Sequence, residues 1–176
     1  EMSEQTFVLS CGWEQAVAAT KSVAEQGLFY QELLSVLQGA SIADKLPALA
    51  DAVEDALTVD IEPAITESIA KAGTIYFAGR NDGVAEELTL KTNEITRKKS
   101  DFLEGTYAVH GIEEVMNADD VVILINPFAA EIDKIKETLV DGVGLNVIAV
   151  SDNDTAFDTI KVKDAGQLSS YVYLAA

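Results

Sequence analysis

The sequence predicts a three-layer α/β fold, with a mostly parallel sheet of about five strands and an N-terminal helical hairpin. Two observations carry most of this. From Gly73 onward, short β-branched runs alternate with longer helical patterns, which implies right-handed βαβ crossovers and a doubly wound sheet. Two of those runs, Val121-Val-Ile-Leu-Ile125 and, after Asn146, Val147-Ile-Ala-Val150, are continuously apolar rather than alternating, as strands covered on both faces must be. Before Gly73 the apolar spacing is three to four, the period of helices.

Taken in order, Thr6 to Ser10 is a short apolar run that reads as a strand or its remnant. Glu14 to Leu37 is expected to be helical, with Val17, Ala24, Leu28, Leu34 and Leu37 forming the apolar stripe and Gly39 ending the helix. Ser41-Ile-Ala-Asp44 offers a capping-box-like start for a helix from Leu46 to Leu57. A third short helix follows Asp60, with Pro63 in its first turn and Ile65, Ile69 and Ala70 inward. The chain thus divides into a helical part, 1–72, and a sheet part, 73–176, within one domain.

The sheet part opens with Thr74-Ile-Tyr-Phe-Ala78, a strand that runs through Gly79-Arg-Asn-Asp-Gly83 directly into a helical pattern ending near Thr96. Phe102 to Tyr107 is a short strand or extended loop, and His110 to Met116 a short helix. After the Val121 strand, Asn126-Pro127 forms a break, Phe128 to Leu139 is helical, and the Asn146 strand follows. Phe157 to Val162 is an edge strand and Gln167 to Ala176 a last helix.

Twelve basic against thirty acidic residues give a formal net charge of −18, which repels nucleic acid and anionic membrane. No apolar run approaches the roughly 18 residues that a membrane-spanning helix needs, and the first residues lack the basic start of a secretion signal. The single Cys11 excludes an internal disulfide and a cysteine-based zinc site, which fits a cytoplasmic location. Cys11 reads as a structural thiol rather than a nucleophile, since the only histidine, His110, lies far along the chain.

At the carboxyl end of a parallel strand, backbone N–H groups and the positive end of a helix dipole converge on a ligand. The Gly79 to Gly83 turn stands there, although it lacks the spacing of a dinucleotide fingerprint and a Walker lysine. Glycines in such a turn also serve as simple backbone relief, and Asp82 as a helix cap. On the helix that follows, Glu87, Lys91 and Glu94 fall within about 60° of one another at 100° per residue, beside Val84, Leu88 and Ile95. Ionisable groups at the margin of an apolar face can be tuned for acid–base work, while Glu87 and Lys91 equally suit a surface ion pair and His110 a capping side chain.

These residues carry a resemblance. Gly79-Arg80, Glu87, Lys91, Glu94-Ile95-Thr96 and Val109-His110-Gly111, together with Val17-Ala-Ala-Thr-Lys21 near the start, resemble the SIS (sugar isomerase) family. The match is specifically to the second SIS domain of glucosamine-6-phosphate synthase and its fructosamine-deglycase relatives, and it covers the chain from about residue 14. It implies a SIS-type fold and a phosphorylated sugar or amino sugar as ligand, in an aldose–ketose isomerase or deglycase. It further implies that Glu94 is the base moving a proton between C1 and C2, and that His110 assists ring opening in a neighbouring subunit's active site. By the same resemblance Gly79, Arg80, Glu87, Lys91, Val17 and Ala19 contact the substrate, in a homodimer whose sites are shared. No metal or other cofactor is implied, because side chains carry the proton.

The chain departs from the pattern at Ala19, where the family has Ser, at Asn93, where many members have Lys, and at Ile112, where Pro is usual. It also lacks the Ser/Thr-rich phosphate loop of a first SIS domain, so it reads as the second half of a tandem protein. The alternative within the same resemblance is a non-catalytic domain that senses phosphosugars or supplies a dimer interface.

Overall fold

The computed structural model describes residues 5–176. Its contacts group the chain into two compact units, one running to Pro47 and the other Ala48–Ala176.

The first unit is built around helix α1 (Lys21–Leu37). The helix starts seven residues later than its apolar periodicity suggests. The Glu14 carboxylate accepts the backbone N–H groups of Thr20 at 2.5 Å and Lys21 at 2.7 Å and the Ser22 hydroxyl at 2.5 Å, so it sits where the helix would otherwise continue and satisfies its orphan donors. Glu14 to Thr20 is consequently non-helical, and no residue of α1 is buried, Leu34 and Leu37 included. The stop at Gly39 is as expected: at φ +76° its N–H reaches Val36 O and the Ala40 N–H reaches Ser35 O, the paired bonds of a Schellman cap. Thr6 to Ser10 forms no strand. Phe7 instead packs on Phe29 with ring centroids 5.0 Å apart, and the Ser10 N–H is taken by Glu25.

Helix α2 (Leu46–Leu57) has the bounds read from sequence, and α3 (Pro63–Lys71) buries Ile65 while leaving Ala70 exposed. The sheet follows: β1 (Ile75–Gly79), β2 (Ser100–Glu104), β3 (Val121–Ile125), β4 (Asn146–Ser151) and β5 (Asp158–Lys161), in the order β2-β1-β3-β4-β5 with every pairing parallel. β1, β3 and all of β4 after Asn146 are buried, the signature of a sheet with helices on both sides.

The pleat sorts the strand residues into two cores. Tyr76, Ala78, Leu103, Val122, Leu124, Val147 and Ala149 face Ile135 of α5 (Ile132–Ile135) and Leu139 just beyond it. On the other face lie α4 (Val84–Lys91) and α6 (Ser169–Ala175), which pack on each other, with α4 also against β1 and β2. The segment after α5 is a π-helical stretch, Lys136–Val143, and the residues around His110 form two short 3-10 turns, Tyr107–Val109 and Ile112–Val115, in place of one helix.

With this strand order the chain leaves β1 toward β2 and then returns across it to β3. The switch point therefore lies between the carboxyl ends of β1 and β3.

Candidate functional site

Three glycine and asparagine positions shape the turn after β1. A Cβ on Gly79 would lie 2.7 Å from the Ala85 Cβ and 3.0 Å from Glu104 Oε2, so glycine is what lets α4 approach the strand. Asn81 and Gly83 adopt the left-handed conformation at φ +60° and +80°. Asp82 caps α4 loosely, accepting the Val84 N–H at 3.3 Å, and is fixed from α6 by the Ser170 hydroxyl at 2.7 Å.

The switch-point crevice is closed by the protein's own groups. Arg80 donates from Nε to the Asn126 carbonyl and from Nη2 to the Pro127 carbonyl at 2.9 Å, and its guanidinium lies 4.3 Å from the centre of the Phe128 ring. One side chain thus bridges the loops after β1 and β3. The Asn81 N–H is taken by Glu104 at the end of β2, whose other carboxylate oxygen is buried without a hydrogen-bond partner. What remains beneath is a cavity of about 20 Å³ lined by Gly79, Gly105, Thr106, Leu124 and Pro127, room for a single water.

Space opens instead along α4. A groove of about 340 Å³ runs between the helix and β2, lined by Gly83, Glu86, Glu87, Thr89, Leu90, Asn93 and Phe102. Its floor is pinned: Asn93 accepts the Ser100 N–H at 3.0 Å, and the Ser100 hydroxyl donates to the Thr89 carbonyl at 3.0 Å. Glu87 and Lys91 form an ion pair at 2.8 Å with side chains only 20% and 13% exposed, close to but not aligned for a directed hydrogen bond. Their partial burial makes this pair costlier to break than an open i,i+4 pair.

Glu94 does not continue the α-helical register. After Lys91 the helix widens into a π-helical turn, Thr92–Thr96, closed by Arg97 at φ +59°. The wider turn shifts Glu94 from the angle that 100° per residue would give, and its side chain is exposed. His110 is also exposed; its N–H bonds Tyr107 O at 3.1 Å, and Gly111 turns the chain at φ +105°. Glu94 precedes the first residue of β2 by six positions, next to Asn93, which is bonded to that strand residue, and His110 follows the last by six. Val17 and Ala19 belong to the first unit, both exposed in the segment that Glu14 holds out of the helix.

Spacing and composition give no notice of three participants. Phe128 and the Asn126 carbonyl meet Arg80 from 46 to 48 positions away, and Thr89, on the buried side of α4, has a hydroxyl that finds no partner. Glu104 has a signal, a carboxylate at the carboxyl end of an apolar run before a glycine. Cys11 is no activated nucleophile, since Glu25 beside it, through a hydrogen bond above all, pushes its thiol up. Among the described residues no cluster of His, Cys, Asp and Glu is arranged to hold a metal, and no helix is long and apolar enough to cross a membrane.

Comparison with solved structures identifies the architecture. The C-terminal domain of glucosamine-fructose-6-phosphate aminotransferase from Francisella tularensis matches at a TM-score of 0.73 and 20% identity, over 93% of this chain and 52% of that one. A protein from E. coli CFT073, solved in complex with a sugar phosphate, matches at 0.57 and 24%, over 76% and 81%. The sugar isomerase domain of an RpiR transcription factor from Sphaerobacter thermophilus matches at 0.54 and 13%, over 75% and 86%. The five-stranded α/β fold is therefore the sugar isomerase (SIS) domain fold. The chain spans about half the length of the aminotransferase domain it resembles. No family model and no curated protein matches the sequence.

Proposed function

We propose that this chain is a phosphosugar-binding SIS domain of an aldose–ketose isomerase or deglycase acting on phosphorylated sugars or amino sugars. The observation that carries the reading is the row on α4, where the half-buried Glu87–Lys91 pair stands one turn before an exposed carboxylate, Glu94. Abstraction of a proton next to a carbonyl or imine needs such a base, free of internal partners and beside groups that orient the substrate. Glu94 is the base, and His110 is the acid–base group for ring opening, supplied by the neighbouring subunit of a homodimer. Glu87 and Lys91 line the pocket, with Gly79 and Arg80 contributing to substrate contact. Arg80 would do so only after leaving its carbonyl partners.

A second reading, a non-catalytic phosphosugar sensor or dimerisation domain, is favoured by one observation. The crevice at the switch point is bridged by Arg80, which leaves beneath it a cavity of about 20 Å³, too small for a sugar.

The test is turnover of fructose 6-phosphate and glucosamine 6-phosphate by the chain and two variants. For the enzyme, Glu94→Gln and His110→Ala are each inactive, and mixing them restores part of the activity through hybrid dimers that contain one intact site. Turnover unchanged in Glu94→Gln excludes Glu94 as base. Saturable binding without turnover in the unaltered chain favours the sensor.

A further inference from the structure

We propose that the groove between α4 and β2 binds a hydroxylated, non-anionic ring, a saccharide face that carries no phosphate. This goes beyond the reading above, since it involves neither Glu94 nor His110 and Lys91 does not line the groove. Three observations meet there. Thr89 is only 8% exposed, and its hydroxyl oxygen is buried with no hydrogen-bond partner. A helical threonine ordinarily returns that bond to the carbonyl four residues earlier, and leaving it unmade is costly. Thr89 lines the groove, and its hydroxyl is an unspent donor and acceptor buried just beneath that lining, which a ligand reaches by a small shift of the side chain. Phe102 and Leu90 are 37% and 47% exposed at the same place and offer an apolar platform to the C–H face of a ring. The charged lining consists of two carboxylates, Glu86 and Glu87, and since Glu87 is already paired with Lys91, Glu86 is the one that favours hydroxyl or ammonium groups over phosphate. The clamp between Asn93, Ser100 and Thr89 keeps the groove preformed, so a ligand need not order it.

The experiment is amide chemical-shift mapping of the labelled chain during titration with glucosamine, glucose, inorganic phosphate and fructose 6-phosphate. Glucosamine and glucose are expected to move the amides of Thr89, Leu90 and Phe102, glucosamine at the lower concentration, and inorganic phosphate to leave them in place. Thr89→Val, which keeps the shape and removes the hydroxyl, should weaken glucosamine binding about tenfold, and Thr89→Ser should restore it. Groove amides that stay still with both sugars, or an affinity indifferent to Thr89→Val, overturn the proposal. Fructose 6-phosphate shifts confined to the surroundings of Glu94 and His110 would overturn it while leaving the phosphosugar reading standing. Groove shifts with glucosamine but none anywhere with fructose 6-phosphate would do the reverse.

Discussion

Glu94 and Gly79 illustrate two different demands that a site places on single residues. Under the proposed function Glu94 is needed for its chemistry: Glu94→Gln keeps size and polarity but removes the proposed base, and should lower kcat/KM for sugar isomerisation by roughly 10²–10⁴-fold with the melting temperature unchanged. Gly79 is needed for the absence of a side chain. Gly79→Ala puts a methyl 2.7 Å from the Ala85 Cβ, where Ala85 is fully buried. The expected cost is about 1–3 kcal/mol by urea unfolding, and an unchanged midpoint would show that α4 can move away. Tyr173 gives the fold a pH limit of its own. Burial first, and then the charge of Asp152, push its hydroxyl up to about 12 from the usual 10. Above pH 10 the unfolded chain loses this proton while the folded chain keeps it, so stability falls as pH rises from 10 to about 12. Tyr173→Phe should flatten that fall; an identical slope in the variant would assign it to other groups.

Among the elements, those governed by local pattern were legible in the sequence and those governed by distant partners were not. The continuous apolar runs at Val121 and Val147 specify β3 and β4 because only a doubly covered strand tolerates them, and the more polar Asp158 strand falls at the edge. Helix α1 departs from its periodicity because its start is set by Glu14, a carboxylate that lies upstream of the first turn and that no periodicity reports. The Ser22 hydroxyl first, and then the backbone N–H groups of Thr20, Lys21 and Ser22, hold Glu14 down to about 2. A depressed carboxylate stabilises above its ordinary value near 4.5 and ceases to do so as pH falls through its folded value. The Thr20 to Ser22 amides should therefore titrate with a midpoint near 2; a midpoint near 4.5 would mean that the cap is not formed. The site shows the same division. The Glu87–Lys91 pair follows from i,i+4 spacing, whereas the π-helical turn that displaces Glu94 and the closure of the crevice by Arg80 depend on contacts that spacing cannot show.

For the molecule as a whole, the net charge of −18 has to be reconciled with the anionic ligand proposed above. The one arginine at the switch point is spent on carbonyls, and the groove on α4 is lined by acids, so the phosphate must find cations and N–H groups in an arrangement that the sugar ring alone does not need. Binding should accordingly weaken little for the ring and strongly for the phosphate as salt rises from low to physiological strength. Recognition of a sugar phosphate by this SIS fold, as proposed, can be read from thermal unfolding in the presence of fructose 6-phosphate. A ligand at one hundred times its Kd stabilises the folded state by about 2.7 kcal/mol, which for a chain of this length raises Tm by roughly 5–10 °C. A saturable rise of that size is expected with fructose 6-phosphate and a smaller one with fructose; a melting temperature indifferent to both would rule out sugar-phosphate recognition by this chain.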